Sequence, residues 1–175
     1  QDTAGLLELL HPLVVQPGDL VGVPPGELHP IGAGVLILEL QQPEDLSILL
    51  EWEGFEIHGA REGHLGLGFD RALAAVTTTA RSTAEMGALV QAAPPSGSVF
   101  PGDADEYFRL ERMPVHGTAV LEPGFAIVVV ARGTVELAGR QVAAGATVLV
   151  PAAAGHLEVS GDGELARLEG NVAGD

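Results

Sequence analysis

The chain of 175 residues is 46% hydrophobic and has 24 acidic against 8 basic residues, a formal net charge of −16 at pH 7. This charge repels nucleic acid and anionic membrane surfaces, so we expect neither as a partner. The absence of lysine and cysteine excludes a lysine Schiff base, a disulfide framework and a thiolate zinc site within this chain. No apolar run is long enough for a membrane span and the start has no signal-peptide pattern, so we predict a cytoplasmic protein.

Short strands and two short helices are predicted before residue 77. The run GLLELL at 5–10 is typical of the last turns of a helix, which Pro12 ends, and 69–76 has the apolar face of a second helix. Apolar runs bounded by glycine and proline predict strands at 13–16, 19–23, 34–41 and 46–53.

Two stretches have weaker patterns. Residues 54–67 form a Gly-rich loop that contains His58 and His64. Residues 77–106 are rich in Ser, Thr, Pro and Gly, which favours a linker or a long excursion with one helix at 83–90.

From Tyr107 onward the pattern is that of short β-strands. Eight apolar runs follow one another, and the spacing of their turns is typical of a sandwich or barrel. The predicted turn pairs include Ala138-Gly139, Ala144-Gly145 and Asp162-Gly163. We therefore divide the chain into the later half of a catalytic-type barrel at 1–76, a linker at 77–106 and a complete barrel at 107–175.

One motif occurs twice. The spacing Gly-x5-Pro-x-(Gly/Ala)-x2-His runs from Gly18 to His29 and again from Gly145 to His156. It places a histidine directly after a tight turn, and the strand predicted after His29 ends close to Glu39. In a small barrel, a histidine and a carboxylate on neighbouring strands can point inward at one metal ion. We expect the two histidines to superpose when the two β units are overlaid.

The motif and its surroundings resemble a known family. The stretch PGDLVGVPPGELHPIGAGVLILELQQPEDLS and the later HLGLGFDRAL are similar to the class I mannose-6-phosphate isomerases, which are zinc-dependent cupins. The resemblance covers nearly all of the chain and implies the C-terminal part of such a protein, from a divergent branch. It implies interconversion of mannose 6-phosphate and fructose 6-phosphate by proton transfer between C1 and C2 through an enediol.

The resemblance also implies roles for particular residues. Zinc in that family is held by a Gln-x-His pair, a Glu and a last His, and this last ligand matches His29. Gln-x-His does not occur here, so we expect the other ligands in an N-terminal half and only weak Zn²⁺ binding by the isolated chain. Glu39 and Asp45 match catalytic carboxylates near the sugar, whereas Leu49 stands where the family has an arginine that aids proton transfer.

Each of these residues also has a plainer interpretation. His29 can be a turn histidine bonded to the backbone, Glu39 a charge at the end of a strand, and Asp45 the cap of a turn. His156 repeats the ligand position but has no second ligand near it in the sequence, which favours a structural role. The remaining histidines lie in loops without ligand spacing: His11, His58, His64 and His116.

The sequence thus predicts an all-β, cupin-like fold, a jelly roll or double-stranded β-helix, with a complete C-terminal barrel and a partial N-terminal one. Its first functional hypothesis is an isomerase with a sugar phosphate as substrate, which would need a local arginine or N–H cluster for the phosphate. A non-catalytic or regulatory sugar-binding cupin is the second, favoured by Leu49. A third is a different metal-dependent cupin enzyme acting on small acids.

Overall fold

The computed structural model describes residues 2–41, 46–92, 94–100 and 107–170. Antiparallel strands dominate it and the helices are short, so the predicted all-β class is confirmed. The chain divides into two compact units, 1–91 and 92–175. None of the helices in the described ranges is long and apolar enough to cross a bilayer.

The first unit has little regular structure. Helix α1 begins after its N-cap Asp2, whose side chain accepts a hydrogen bond from the Gly5 N–H at 2.9 Å. Strands β1 and β2 form a two-stranded sheet, which the Gly22 N–H extends by donating to the Leu89 carbonyl at 2.9 Å. The elements are α1 (Thr3–Glu8), β1 (Asp19–Val21), α2 (Gly59–Glu62), α3 (Phe69–Ala72) with a 3₁₀ turn at Leu73–Ala75, α4 (Thr83–Ala88) and β2 (Val90–Ala92).

Three of the four strands predicted in this unit are not formed. The segments 13–16, 34–41 and 46–53 are irregular, and only 19–21 of the remaining one is a strand. An apolar run becomes a strand only when a neighbouring strand satisfies its N–H and C=O groups. The run at 35–38 has no such neighbour among the described residues, and Leu36 is 98% exposed. The helices predicted at 69–76 and 83–90 are confirmed, whereas α2 was missed inside the Gly-rich loop.

The second unit is a six-stranded antiparallel sheet. Its hydrogen-bonded order is β3-β4-β8-β5-β6, and β7 pairs with one half of β5. Its strands are β3 (Gly97–Ser98), β4 (Phe108–Leu121), β5 (Ala126–Leu137), β6 (Arg140–Ala143), β7 (Thr147–Val150) and β8 (Leu157–Gly170), with a 3₁₀ turn at Ala152–Ala154 before β8.

A single apolar core lies on one face of the long strands. Period-2 alternation is clearest in β5, where Ala126, Val128 and Val130 and then Val135 and Leu137 are buried, and β4 and β8 add buried residues at fewer positions. The largest fully buried side chains are Leu121, Leu165, Val115, Val128, Val130, Val135 and Val159. Because these positions come from strands far apart in sequence, the core ties β4, β5 and β8 together.

Two of the three named turns are confirmed, and one is wrong. Ala138-Gly139 and Ala144-Gly145 lie between strands. Asp162-Gly163 instead lies inside β8, paired to both β4 and β5. Its glycine serves close packing, since a Cβ on Gly163 would come within 2.6 Å of the Arg132 carbonyl oxygen. The predicted strands therefore merge in pairs into 12- and 14-residue strands.

Candidate functional site

His29 lies on a turn that is held at its base by backbone contacts. The Gly26 carbonyl accepts a hydrogen bond from the Thr77 N–H at 2.9 Å. Gly26 has φ +83°, and a Cβ at this position would come within 2.5 Å of the Ala75 carbonyl oxygen. Only glycine therefore fits here, which explains the second glycine of the motif.

The imidazole of His29 has a defined orientation. Its Nδ1 lies 2.7 Å from the Glu27 carbonyl oxygen, on an exposed side chain. A carbonyl oxygen can only accept, so Nδ1 carries the hydrogen and the neutral ring has its lone pair on Nε2. Metal-bound histidines commonly donate their other ring N–H in this way, so the plainer interpretation of His29 and the ligand interpretation are compatible.

The Glu27 side chain is itself fixed from a distant part of the same unit. The Arg81 Nε donates to Glu27 Oε1 at 2.9 Å, and Arg81 Nη2 donates to the same oxygen. Hydrogen bonding to Glu27 raises the pKa of the Arg81 guanidinium above its usual range. Arg81 directly precedes Ser82, the N-cap of α4, which forms a capping box with Glu85 and lowers the pKa of that carboxyl.

Among the described residues, no hydrogen bond or ion pair joins the predicted carboxylate Glu39 to His29. Glu39 is exposed, and its Oε1 accepts a hydrogen bond from Gln41 Nε2 at 2.9 Å. Asp45 lies outside the described residues. The Leu49 N–H donates to the Gly63 carbonyl at 2.8 Å, so the backbone at this position is fixed while its side chain lacks the guanidinium of the family pattern.

The repeated motif has similar backbone features in its two copies. Gly18 and Gly145 both have positive φ, +94° and +88°, and each precedes a short strand, β1 or β7. His156 differs from His29 in its partner, since its Nδ1 lies 3.3 Å from the Glu122 carboxylate on an exposed surface. Superposition of the two histidines stays a prediction.

His64 of the Gly-rich loop belongs to an aromatic cluster. His64 contacts Phe69 edge-on, with ring centroids 5.1 Å apart, and Phe69 stacks on Trp52. The buried Nδ1 of His64 has no hydrogen-bond partner among the described residues. His58 lies beside Trp52 and Arg61 at an open cavity of about 450 Å³.

We tested whether the residues present fit a zinc ion. Across the described ranges, no group of three or more His, Asp or Glu side chains could hold a metal. His29 by itself fits one ligand position, because its ring is oriented and its Nε2 lone pair is exposed. The described part of the chain therefore offers one zinc ligand and not a complete site.

A second cluster of charged residues occupies one end of the core in the second unit. Arg167 is only 6% exposed and lies on the inner face of β8. Its Nη1 donates to Glu111 at 3.0 Å, and its Nη2 donates to the Glu122 carbonyl at 3.2 Å and contacts the Glu169 carboxylate. A buried guanidinium requires such partners, and all of these come from the same unit.

A cavity of about 350 Å³ opens beside this cluster, with Glu111, Met113 and Arg167 among its lining residues. Arg112, also at the cavity, donates to both oxygens of Glu164 at 2.8 and 2.9 Å, which raises the pKa of its guanidinium. Both arginines already have carboxylate partners, and these partners offset part of their positive charge toward an anionic ligand.

Sequence reasoning missed Arg81 and Arg167. Arg167 had a detectable signal, because it occupies an inward position in the alternation of ELARLEG, where an apolar residue is expected. Arg81 had none, since its partner Glu27 lies 54 residues earlier.

No family model and no curated protein matches the chain. Among solved structures, the chain is similar to a provisionally assigned mannosephosphate isomerase from Archaeoglobus fulgidus, at 25% identity and a TM-score of 0.45, over 58% of this chain and 33% of that one. It is also similar to the apo form of mannose 6-phosphate isomerase from Salmonella typhimurium, at 19% identity and a TM-score of 0.46, over 59% of this chain and 28% of that one. The chain thus spans a third or less of the lengths of these two proteins.

Proposed function

We propose that the chain is part of a mannose-6-phosphate isomerase-like protein in which His29 is one ligand of a zinc ion. The single observation that carries this proposal is the arrangement of His29 within its motif. The motif predicts a metal-ligating histidine at this position, and the ring donates its Nδ1–H to the Glu27 carbonyl with Nε2 left as the lone-pair atom.

The other ligands and the strands that complete the barrel are proposed to come from an N-terminal half of the same protein. Exposed apolar residues support this, because Leu36 is 98% exposed and Ile37 46% exposed in a run with strand-forming composition. Pairing with neighbouring strands would bury these side chains and satisfy their backbone groups. The same proposal places a sugar phosphate as the substrate and the cytoplasm as the compartment.

Bound zinc would polarise the oxygen atoms of the sugar. His29 contributes an oriented imidazole lone pair on a turn that backbone contacts hold in place. Glu39 is proposed to move the proton between the two sugar carbons, because it is an exposed carboxylate ten residues on at the matched position. Asp45 is proposed as the second carboxylate of the site, on the resemblance alone.

His29→Ala in the protein expressed from its full open reading frame is expected to abolish most zinc binding and isomerase activity. Even changes outside the ligand shell reduce metal affinity by about 10–100-fold, so loss of a ligand should reduce it at least as much. His156→Ala is the matched control, since that side chain pairs with Glu122 on the surface of the second unit. Coupled assay of fructose 6-phosphate formation and metal analysis provide the readouts. An inactive His156→Ala variant together with an active His29→Ala variant would assign the metal site to the second unit.

The 175-residue chain alone is expected to bind Zn²⁺ weakly. A catalytic zinc site generally needs about three protein ligands, and the described residues provide one that fits. Isothermal titration with zinc chloride measures the affinity directly. A tight, stoichiometric site would contradict the expectation and would point to Glu39 with His58 or His64 as ligands.

The alternative function is a non-catalytic sugar-binding cupin, and Leu49 is the observation that favours it. No guanidinium is available from this position, and the neighbouring Glu51 accepts hydrogen bonds from Thr3 Oγ1 at 3.2 Å and the Glu53 N–H at 2.6 Å. If the complete wild-type protein binds the sugar phosphate without turning it over, this alternative replaces the isomerase.

A further inference from the structure

We infer that Arg81 is a positioning residue for His29, acting through Glu27. The metal-binding part of this inference rests on the proposed function, whereas the positioning part concerns the folded chain alone. No hydrogen bond or ion pair joins Arg81 to His29 in the described part of the chain. Arg81 contacts the side chain of the residue whose backbone carbonyl orients the His29 ring.

The imidazole ring of His29 is restrained by its hydrogen bond to the Glu27 carbonyl. The Nδ1···O distance of 2.7 Å is short for an N–H···O bond, which indicates a well-formed contact. The bond selects the Nδ1–H tautomer, whereas neutral imidazole free in water favours the hydrogen on Nε2. The ring orientation therefore depends on where the Glu27 carbonyl oxygen lies.

Glu27 is in turn restrained by contacts of its side chain and its N–H. Its side chain is 18% exposed and receives two N–H groups of Arg81 on one carboxylate oxygen. The Glu27 N–H adds a turn bond to the Pro24 carbonyl at 3.3 Å. The side-chain contact and the N–H bond together hold the Cα of Glu27 in place, and the carbonyl that orients His29 is attached to that Cα.

Arg81 is placed by the N-cap of α4, which is the next residue. This residue, Ser82, accepts a hydrogen bond from the Glu85 N–H at 3.3 Å, and Glu85 Oε2 accepts from the Ser82 N–H at 2.8 Å. This reciprocal cap fixes the start of α4. The stretch predicted as a linker thus supplies the group that orients the motif histidine, through a charge-assisted contact between chain segments 54 residues apart.

The test is long-range ¹H–¹⁵N correlation spectroscopy of the imidazole nitrogens in the 175-residue chain. It is carried out about two pH units above the ordinary histidine pKa of ~6.5, where the ring is neutral and only its tautomer is compared. Wild type is expected to show His29 in the Nδ1–H form. Arg81→Met is expected to convert it to a mixture dominated by Nε2–H, and Arg81→Lys to an intermediate mixture, because an ammonium group lacks the guanidinium fork.

Arg61→Met is the matched control. Arg61 is also an arginine of the first unit with a glutamate partner, Glu62 at 2.7 Å, and no hydrogen bond or ion pair joins it to Glu27 within the described ranges. Its removal should leave the His29 tautomer unchanged. If Arg81→Met fails to fold, Glu27→Gln replaces it, since the amide keeps one acceptor for Arg81 but loses the charge, and a partial shift toward Nε2–H is expected.

A folded Arg81→Met chain with His29 still in the Nδ1–H form overturns the inference. Zinc chloride titration of the complete protein separates this from failure of the proposed function. Weaker binding by about 10–100-fold in Arg81→Met supports both. Two results together would support the positioning role and overturn the metal-ligand proposal. The His29 tautomer shifts in Arg81→Met, and the His29 signals of wild type do not respond to zinc.

Discussion

Arg167→Met is expected to destabilise the second unit by about 3 kcal/mol, at the lower end of the ~3–5 kcal/mol typical for breaking a buried ion pair on one side. Methionine has a similar length and leaves the Glu111 and Glu169 carboxylates facing each other without the guanidinium between them. These two side chains are 27% and 21% exposed, and solvent relieves part of the cost. Urea unfolding followed through the methyl signals of Val128 and Leu165 reports on this unit alone.

The charge dependence of the loss distinguishes an electrostatic cause from lost packing. In the variant, the Glu111 and Glu169 carboxylates repel each other with no cation between them. Dissolved salt screens this repulsion, so part of the loss should be recovered at high ionic strength. The control is Arg109→Met, whose guanidinium lies 4.0 Å from Glu169 at the surface and should cost less than about 1 kcal/mol. Equal losses in the two variants would mean that the buried cluster has no special role.

Most of the second unit could be predicted from the sequence because its strands carry their own pattern. Alternation in β4, β5 and β8 puts valine and leucine on one face, and the tight turns bear glycine. Asp162-Gly163 was predicted as a turn because Asp-Gly is a common turn pair. The same pair also fits inside a strand where a neighbouring backbone leaves no room for a side chain. Only the approach of Gly163 to the Arg132 carbonyl distinguishes the two cases, and that is a tertiary contact.

The first unit was predicted less well for a different physical reason. The run VLILEL at 35–40 has strand composition, but a strand is completed by hydrogen bonds to a partner that local sequence does not specify. Within the described part of this unit, the one strand pair is that of β1 with β2, about seventy residues later. Composition therefore identified where strands can form and not whether a neighbour is present.

The candidate site could also be predicted only in part. His29 was identified from a short motif, because a turn histidine and its glycines lie within twelve residues. The orientation of its imidazole could not be predicted. The ring is oriented by the carbonyl of Glu27, and Glu27 is fixed by Arg81 from the stretch interpreted as a linker. The resemblance supplied Glu39 and Asp45 as sugar-facing carboxylates, and their catalytic roles stay proposals.

Gly133→Ala is expected to be the more severe of two glycine substitutions in the second unit, with a loss of about 4 kcal/mol or more. Gly133 has φ +76°, where an alanine costs about 1–2 kcal/mol from its Cβ alone. A Cβ here would also come within 2.2 Å of the Asp162 carbonyl oxygen and 2.7 Å of the Gly163 Cα. Because both atoms belong to backbone, β5 and β8 would have to separate where they pair.

Gly117→Ala isolates the conformational part of this cost. Gly117 lies on β4 with φ +88°, and a Cβ there would meet nothing within 4 Å. We expect it to lose only the ~1–2 kcal/mol of left-handed strain. The difference between the two variants, measured by urea unfolding of the same methyl signals, is then the cost of forcing β5 and β8 apart. If Gly133→Ala and Gly117→Ala destabilise the unit equally, close strand contact is not what requires glycine at Gly133, and backbone conformation alone accounts for it.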